Sequence, residues 1–281
     1  MWLLHHTRFG TLIDKEYRID TILGEGSFAT VFKVLDILRE RYYVLKVVIP
    51  QSSEKSAQVI FNVEADVLDE IGKLGTNQHI VGLKKWGYLH DTKDLYLLLE
   101  YIEGQTVTER VKKSHSLPRV GIVEIQQILL QLLDALHFMH NRSVPIIHRD
   151  IKPNNLMLSP SRGVVVIDFN VSKLVLAPGE SKTMVGTPPY IPLEILLEKG
   201  NWSPVSDLYA VGILLYFLLV GEDDPFPNHG ARLLAQTKPA NPQGKIPALP
   251  DSIVQTMMKA IAYDPDARYR DAEEMKKARR R

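Results

Sequence analysis

The 281-residue sequence contains no cysteine. Without cysteine the chain can have no disulfide framework, no Cys-ligated zinc site and no cysteine nucleophile. This composition fits a reducing compartment, and we expect a cytoplasmic location.

The sequence also lacks an excess of charge of one sign, since 34 lysines and arginines stand against 33 acidic residues. A net charge of +1 produces no field that would attract nucleic acid or a membrane surface, and we expect neither as a partner. The basic run Met275–Arg281 is expected to be a solvated helix end, with contact to an acidic surface as the alternative.

Long apolar runs are scarce. The longest, Leu208–Val220, is shorter than the roughly 20 residues of a membrane-spanning helix and is predicted to be a buried core helix. The N-terminal MWLLHHTRFG has too short an apolar stretch for a secretory signal. With 45% apolar residues the chain can bury a large core, in one unit or in two packed lobes.

Two kinds of pattern divide the chain. Between Tyr17 and Tyr101, short β-branched and aromatic runs separated by turn residues predict antiparallel strands. Within this part, Ser56–Leu74 has apolar residues at helical spacing, which predicts a single helix. Leucines and isoleucines three and four apart, clearest in Ile122–His140, predict a mainly helical second lobe. We therefore predict an α+β fold with an N-terminal extension (1–16), a strand lobe (17–101) and a helical lobe (102–281).

A short segment, 100–105, joins the two predicted lobes, and Gly104 lies where a hinge would be. A cleft between lobes is a common place for a ligand. Residues 228–250 contain several prolines and little periodicity, so we predict a surface loop there.

A glycine-rich segment, Gly24–Val31 (GEGSFATV), lies between two predicted strands. Its small residues would let backbone N–H groups approach phosphate oxygens. A plain glycine hairpin is the alternative, and the strand on each side argues against a dinucleotide fingerprint, which needs a helix after the glycines.

Lys46 lies in the apolar strand pattern YYVLKVV, where its charge is costly to bury without an anionic partner. Glu64, in the single helix predicted for this lobe, could supply the partner. Alternatively, Lys46 could extend from a strand edge to solvent. Taken alone, these residues leave the two interpretations even.

Two further motifs decide between these alternatives: His148–Asn155 (HRDIKPNN) and, after a short hairpin, Ile167–Phe169 (IDF). With them, the chain from about Tyr17 to Tyr269 resembles the eukaryotic-type (Hanks-type) protein kinase family, and its closing stretch resembles bacterial members. The resemblance implies the bilobal kinase fold, ATP with Mg²⁺ (or Mn²⁺ in its place), and Ser or Thr hydroxyls of protein substrates as acceptors.

The resemblance assigns the central chemical roles to five side chains. Asp150 would orient the substrate hydroxyl and accept its proton, while Asn155 and Asp168 would hold the metal ions. Lys46 would hold the α and β phosphates and pair with Glu64. Such a reaction requires that the triphosphate charge be neutralised and the hydroxyl brought in line with the γ-phosphorus.

The resemblance also implies a nucleotide site. The glycine-rich backbone would bind phosphates, the hinge backbone would read the adenine edge, and apolar side chains would enclose the ring, with Leu99 guarding a back pocket. The residues implied are Gly24, Glu25, Gly26, Ala29, Val31, Val44, Leu99, Glu100, Ile102 and Met157.

Two residues favour Ser/Thr over Tyr as the acceptor. In the Ser/Thr branch of the family the lysine at Lys152 steadies the γ-phosphate, and the threonine at Thr187 closes on the catalytic aspartate. Asn154 stands where kinases that prefer arginine before the target residue often carry glutamate, so we predict no strong basic preference.

The segment 168–194 corresponds to the family's activation segment. In such kinases the arginine before the catalytic aspartate, here Arg149, commonly receives a phosphate from this segment. Thr183, four residues before Thr187, is the expected autophosphorylation site and Ser181 the second candidate; the alternative is a loop hydroxyl without effect. A homodimer would allow phosphorylation in trans.

Two structural pairings are also implied: Glu194 with Arg268, and Asp207 with the catalytic-loop backbone. The chain departs from the family pattern at Asn170, where glycine is usual. Because Asn tolerates left-handed backbone angles, we expect metal binding to survive. Asn170 nevertheless supports an alternative function, a pseudokinase that binds or scaffolds without catalysis. A small-molecule kinase is a third candidate, disfavoured by Lys152 and Thr187.

Overall fold

The computed structural model describes residues 9–25, 29–48, 54–73, 75–169, 173–174, 186–197, 200–226 and 238–278. The chain forms two compact units, one of residues Met1–Thr76 and Val81–Glu103, the other of Asn77–Ile80 and Gly104–Arg281. The division after Glu103 lies two residues beyond the predicted boundary, inside the predicted hinge. The prediction also placed residues 77–80 in the first lobe, whereas they pack with the second unit.

The described residues of the first unit form a six-stranded antiparallel sheet with one helix, in agreement with the pattern of its sequence. The strands follow the order β1-β2-β3-β4-β6-β5. Their bounds are β1 (Leu12–Ile13), β2 (Tyr17–Glu25), β3 (Ala29–Asp36), β4 (Arg41–Val48), β5 (Leu83–Tyr88) and β6 (Leu95–Glu100), and the helix is α1 (Glu54–Lys73).

The side chains of β4 alternate between the buried core of this unit and the opposite face of the sheet. Leu45 and Val47 are buried in a cluster with Phe32 of β3 and Leu98 of β6. Successive side chains of a strand point to opposite faces, so Lys46 projects from the face opposite this cluster. The strand that supplies the apolar core therefore also presents the lysine.

The second unit is mainly helical, as predicted, with two small sheets in the orders β10-β9-β7 and β11-β8. The helices among its described residues are α2 (Val107–Lys112), α3 (Ile122–His140), α4 (Leu193–Leu196), α5 (Pro204–Val220), α6 (Asp251–Ala260) and α7 (Ala272–Ala278). Its strands are β7 (Gln105–Thr106), β8 (Ile146–Ile147), β9 (Leu156–Ser159), β10 (Gly163–Val166) and β11 (Lys173–Leu174). Single 3₁₀ turns occur at Pro153–Asn155, Pro188–Tyr190, Pro242–Gly244 and Pro265–Ala267.

Helix α5 is the central core helix of this unit, which confirms the interpretation of the longest apolar run. Every residue from Ser206 to Val220 is buried. The helix begins at Pro204, whose fixed φ suits a first helical position, and ends before Gly221, which takes a left-handed φ of 83°. Asp207, in its first turn, is held at the centre of the unit.

Helix α3 is the one described helix that is long and apolar enough to cross a membrane, judged by length and composition alone. Core helices of globular proteins share these properties. Nine of its residues, from Ile125 to His140, are buried within the unit. The helix thus serves as a packing element of the second unit in this structure.

Residues 77–80 join the second unit through backbone contacts and one side-chain contact that no local pattern predicts. Ile80 forms a parallel bridge with Val166, whose amide donates to the His79 carbonyl at 2.9 Å. His79 Nδ1 lies 2.8 Å from the Val164 carbonyl oxygen. Since these partners are more than 80 residues away in sequence, spacing rules could not reveal them.

The segment predicted as a loop, 228–250, is described from residue 238 onward. It contains the 3₁₀ turn Pro242–Gly244, and Ile246 and Leu249 are buried. This part is therefore anchored to the unit by apolar side chains.

Candidate active site

The first unit holds a buried ion pair between Lys46 of β4 and Glu64 of α1. Lys46 Nζ lies 2.9 Å from Glu64 Oε1 and 2.7 Å from Oε2. The Lys46 side chain is 11% exposed and that of Glu64 is 1% exposed. The expected partnership is thus present, and the strand-edge alternative is wrong. Because the pair is shielded from water, the carboxylate fixes where the ammonium lies.

The face of the sheet that carries Lys46 also carries several residues predicted to contact nucleotide. Val31 lies opposite Lys46, and Val44 lies opposite Leu99 in the register of β3, β4 and β6. Residues directly opposite in a sheet share a face, so the two valines flank the lysine. The result is a partly apolar surface beside one fixed positive charge.

Other predicted nucleotide residues lie at the edges of these elements. Gly24 and Glu25 form the exposed end of β2, while Gly26 lies outside the described residues. Glu100 ends β6, and its Oε1 accepts from the Gly82 amide at 2.7 Å. Three predicted residues remain. Ala29 begins β3 and Ile102 is buried after β6. Met157 belongs to the second unit and is paired with Val165 and Thr106.

Asp150 is the centre of a hydrogen-bonded group in the second unit. Its Oδ2 accepts from Lys152 Nζ at 2.6 Å and from Asn155 Nδ2 at 3.0 Å. Its Oδ1 accepts from Thr187 Oγ1 at 3.0 Å, and Lys152 Nζ also lies 3.0 Å from that hydroxyl. Three residues that the sequence analysis singled out therefore meet at the Asp150 carboxylate, and the Asp150 side chain is 13% exposed.

Asp207 fixes the backbone that leads into Asp150, as expected. Its carboxylate accepts from the amides of His148 and Arg149, each at 2.9 Å, and from His140 Nε2 at 2.8 Å. Burial acts to raise the pKa of Asp207, but the hydrogen bond from His140 and the other favourable contacts lower it below its ordinary value. Asp207 is therefore an ionised anchor within the core.

Sequence reasoning missed the role of His140, which completes this anchor from α3. His140 is four residues after the buried Leu136 and thus shares its helix face. A polar residue on an apolar helix face needs a buried polar partner, and that was the available signal.

His148 packs edge-on against Phe169, with ring centroids 4.9 Å apart, and both side chains are fully buried. Burial lowers the pKa of His148, which keeps the imidazole neutral at physiological pH. Its Nδ1 accepts from the Asp150 amide at 3.3 Å. The packing of His148 against Phe169 thus joins the two motifs of the sequence, HRD and DF.

Asn155 and Asp168 offer oxygen atoms suited to a magnesium ion. The Ile167 amide donates to the Asn155 carbonyl at 3.0 Å, which ties the residue before Asp168 to the loop His148–Asn155, the catalytic loop implied by the resemblance. The bonds from Asn155 to Asp150 use Nδ2, so Oδ1 is the side-chain atom suited to bind a cation. Within the described ranges no group of three or more His, Asp or Glu side chains could hold a metal. A hard ion with few protein ligands, completed by phosphates and water, is the typical magnesium arrangement.

Arg149 is buried beside the same anchor. Its φ is 68°, and its guanidinium lies 5.8 Å from the ring of Trp202. Burial lowers the pKa of Arg149 to about 10, so the side chain stays positive at neutral pH. The two hydroxyls expected to carry a phosphate towards it, Thr183 and Ser181, lie outside the described residues, as does Asn170.

Arg268 pairs with Glu194, as the sequence implied. Its NH1 and NH2 groups donate to the two carboxylate oxygens at 2.8 and 2.7 Å. Further bonds reach the carbonyls of Ala262 and Tyr263, and the Arg268 side chain is fully buried. This bidentate pair fixes the residues after Thr187 to the helical core.

The protein kinase domain family matches residues 17–278. This chain belongs to that family. The kinase domain is 29% identical over 287 residues to serine/threonine-protein kinase PknA of Nostoc, covering 95% of this chain and 47% of that protein. It is 28% identical over 268 residues to PknL of Mycobacterium tuberculosis, covering 93% and 64%, and 31% identical over 219 residues to an Aurora kinase of Eremothecium gossypii, covering 78% and 56%. The chain thus spans about half to two thirds of the length of these relatives.

Proposed function

We propose that this kinase domain is an active enzyme that transfers the γ-phosphate of ATP to Ser or Thr hydroxyls of proteins. The observation that carries the proposal is the Asp150 carboxylate held by Lys152, Asn155 and Thr187. The pairing of Lys152 with Thr187 supports Ser/Thr over Tyr acceptors, and the names of the relatives agree with it.

Asp150 acts on the acceptor in this proposal. The substrate hydroxyl donates to the Asp150 carboxylate, which points the oxygen lone pair towards the phosphorus. The new bond between this oxygen and phosphorus forms as the bond from phosphorus to the leaving ADP oxygen breaks, and the hydroxyl proton passes to Asp150. Lys152, 2.6 Å from Asp150, supplies positive charge for the transferring group.

Asn155 and Asp168 would hold Mg²⁺, or Mn²⁺ in its place, which neutralises phosphate charge when bound. Lys46, positioned by Glu64, would bind the α and β phosphates. We propose nucleotide contacts for Gly24, Glu25, Gly26, Val31, Val44, Leu99, Glu100 and Ile102 of the first unit and for Met157 of the second.

We also propose regulation by autophosphorylation. A phosphate on Thr183, or on Ser181, would be received by the buried cation of Arg149. Transfer between two copies of the chain would require at least a transient homodimer. A cytoplasmic location and a bacterial source remain proposals that rest on the lack of cysteine and the resemblance to bacterial kinases.

The competing function is a pseudokinase scaffold, supported only by Asn170. The two functions can be distinguished by measuring nucleotide binding and phosphate transfer on the same preparation. We expect Mg-ATP to raise the melting temperature and labelled phosphate to reach a generic protein substrate. A raised melting temperature with no transfer, under conditions where a known kinase labels the substrate, would favour the scaffold.

A further inference from the structure

A cavity of about 720 Å³ opens beside Asp150 within the second unit. Lys152 and Thr187, both bonded to the Asp150 carboxylate, line one part of it. Lys112, His115 and Arg119, from the end of α2 and the segment that follows, line another part, and Asp223 follows α5 at its wall. The cavity therefore leads from the proposed acceptor position to a basic wall formed by Lys112, His115 and Arg119.

No carboxylate of the described residues forms an ion pair with the basic side chains of this wall. Lys112 is exposed, and within the described part of the chain it makes no ion pair or side-chain hydrogen bond. Arg119 is half-buried and donates to the carbonyl oxygens of Ser114 and Val220, which fix its position but carry no net charge. A held guanidinium with neutral partners retains its positive charge for a ligand.

Acidic side chains contribute little charge to the cavity. Asp223 is the one carboxylate among the described residues that line the cavity, and its Oδ1 already accepts from the Tyr190 hydroxyl at 2.9 Å. Asn154, which also lines the cavity, is neutral. The wall is therefore cationic, although the whole chain has a net charge of only +1.

We propose that this wall binds an anionic side chain of the protein substrate, a carboxylate or a phosphate, within a few residues of the acceptor. The inference rests on the proposed function, and it goes beyond the absence of a basic preference by naming the preferred charge. Complementary charge at such a site selects among substrates, and a group held by Arg119 and Lys112 would also fix the register of the peptide.

A simpler interpretation is that Lys112 only complements the carbonyl end of α2, where cations are favourable. Lys113 allows this to be tested. It is also exposed and adjacent, but it donates to Gln105 Oε1 and does not line the cavity. Charge reversal at Lys113 changes the net charge by the same amount as at Lys112, away from the proposed site.

The experiment uses peptides with one Ser acceptor in a neutral sequence. Each position near the acceptor is replaced in turn by Ala, Asp, phosphoserine or Arg, and kcat/KM is measured for the parent, Lys112→Glu and Lys113→Glu. We expect Asp and phosphoserine at one or more positions to raise kcat/KM about fivefold or more over Ala. This ratio should fall to about one in Lys112→Glu and persist in Lys113→Glu. Because it compares two peptides on one enzyme preparation, any general loss of turnover cancels.

The outcomes are distinct. A preference for phosphoserine without one for Asp supports the site and assigns phosphate as its ligand. Equal kcat/KM for Ala, Asp and phosphoserine peptides, a preference for Arg, or an acidic preference that survives Lys112→Glu would each overturn the inference. No transfer to any peptide or generic protein would instead overturn the proposed function, and this inference with it.

Discussion

Thr187 Oγ1 donates to Asp150 Oδ1 at 3.0 Å, across 37 positions of sequence. Lys152 Nζ bridges the two side chains, 2.6 Å from Asp150 Oδ2 and 3.0 Å from the Thr187 hydroxyl. The catalytic loop and the segment that begins at Gly186 are thereby held together. Gly186 is required there, because its φ is 108° and an added Cβ would lie 2.8 Å from the Arg149 carbonyl oxygen.

The Thr187 hydroxyl should matter more than its methyl group. We expect Thr187→Ala to lower kcat/KM for a Ser peptide by about tenfold, since the Asp150 carboxylate loses one of its positioning bonds. Thr187→Ser keeps the hydroxyl and should retain most of the activity. Steady-state kinetics on both variants test this expectation. Equal losses in the two variants would show that the hydrogen bond is not the relevant contact.

The Lys46–Glu64 pair should control the use of ATP. Glu64→Gln removes the charge that positions the Lys46 ammonium, and we expect kcat/KM for ATP to fall about tenfold or more. Asp69→Asn is the matched control, because Asp69 lies on the same helix but pairs with Lys73 at the exposed surface. If both variants use ATP as well as the parent does, the pair has no part in catalysis.

The Arg268–Glu194 pair should contribute to stability. Arg268→Ala leaves the Glu194 carboxylate without its bidentate partner, and we expect the free energy of unfolding to fall by about 3 kcal/mol. Arg270→Ala removes a nearby arginine that is 84% exposed and bonded to Glu274, and should cost less than about 1 kcal/mol. Urea denaturation of the two variants and the parent gives both values. Similar costs would contradict the assignment of Arg268 as a buried anchor.

Asp207 should make stability depend on pH in the acid range. Its pKa in the folded chain lies below its ordinary value, which is about 3.9 in an unfolded chain. The unfolded state therefore binds the proton more tightly. The stabilisation by the carboxylate is present above the unfolded pKa and is lost as pH falls through the lower folded value.

Asp207→Asn should accordingly be less stable than the parent at pH 7, by about 2 to 4 kcal/mol, and the difference should narrow below about pH 4. Urea denaturation at a series of pH values gives the two curves. A gap between parent and variant that stays constant down to pH 3 would show that the ionised form of Asp207 is not what stabilises the backbone of His148 and Arg149.

Helices and strands could be predicted from the sequence because the pattern of apolar residues that marks each of them is a local property. The β-branched and aromatic run in β4 and the long apolar run in α5 each sufficed on their own. Lys46 illustrates the limit of such reasoning. Its partner in α1 became clear only through the resemblance to kinases, because the burial that makes the pair necessary depends on packing between distant residues.

Other features could not be read from local sequence. Residues 77–80 join the second unit through the backbone bridge between Ile80 and Val166 and through the bond between the His79 ring and the Val164 carbonyl oxygen. These partners are distant in sequence, so no spacing rule could predict the contacts. The basic wall formed by Lys112, His115 and Arg119 arises where α2, the catalytic loop and the end of α5 converge. Individually these residues look like ordinary surface charges.

The most direct test of the central claim follows the intact mass of the protein with Mg-ATP. The parent is compared with Asp150→Asn and Lys46→Met, all prepared without prior phosphate. We predict that the parent alone gains mass in phosphate steps and that mapping places one step at Thr183 or Ser181. Absence of any mass gain in the parent, with no phosphate transferred to added protein, would contradict the assignment of Asp150 as the residue that directs a hydroxyl to ATP.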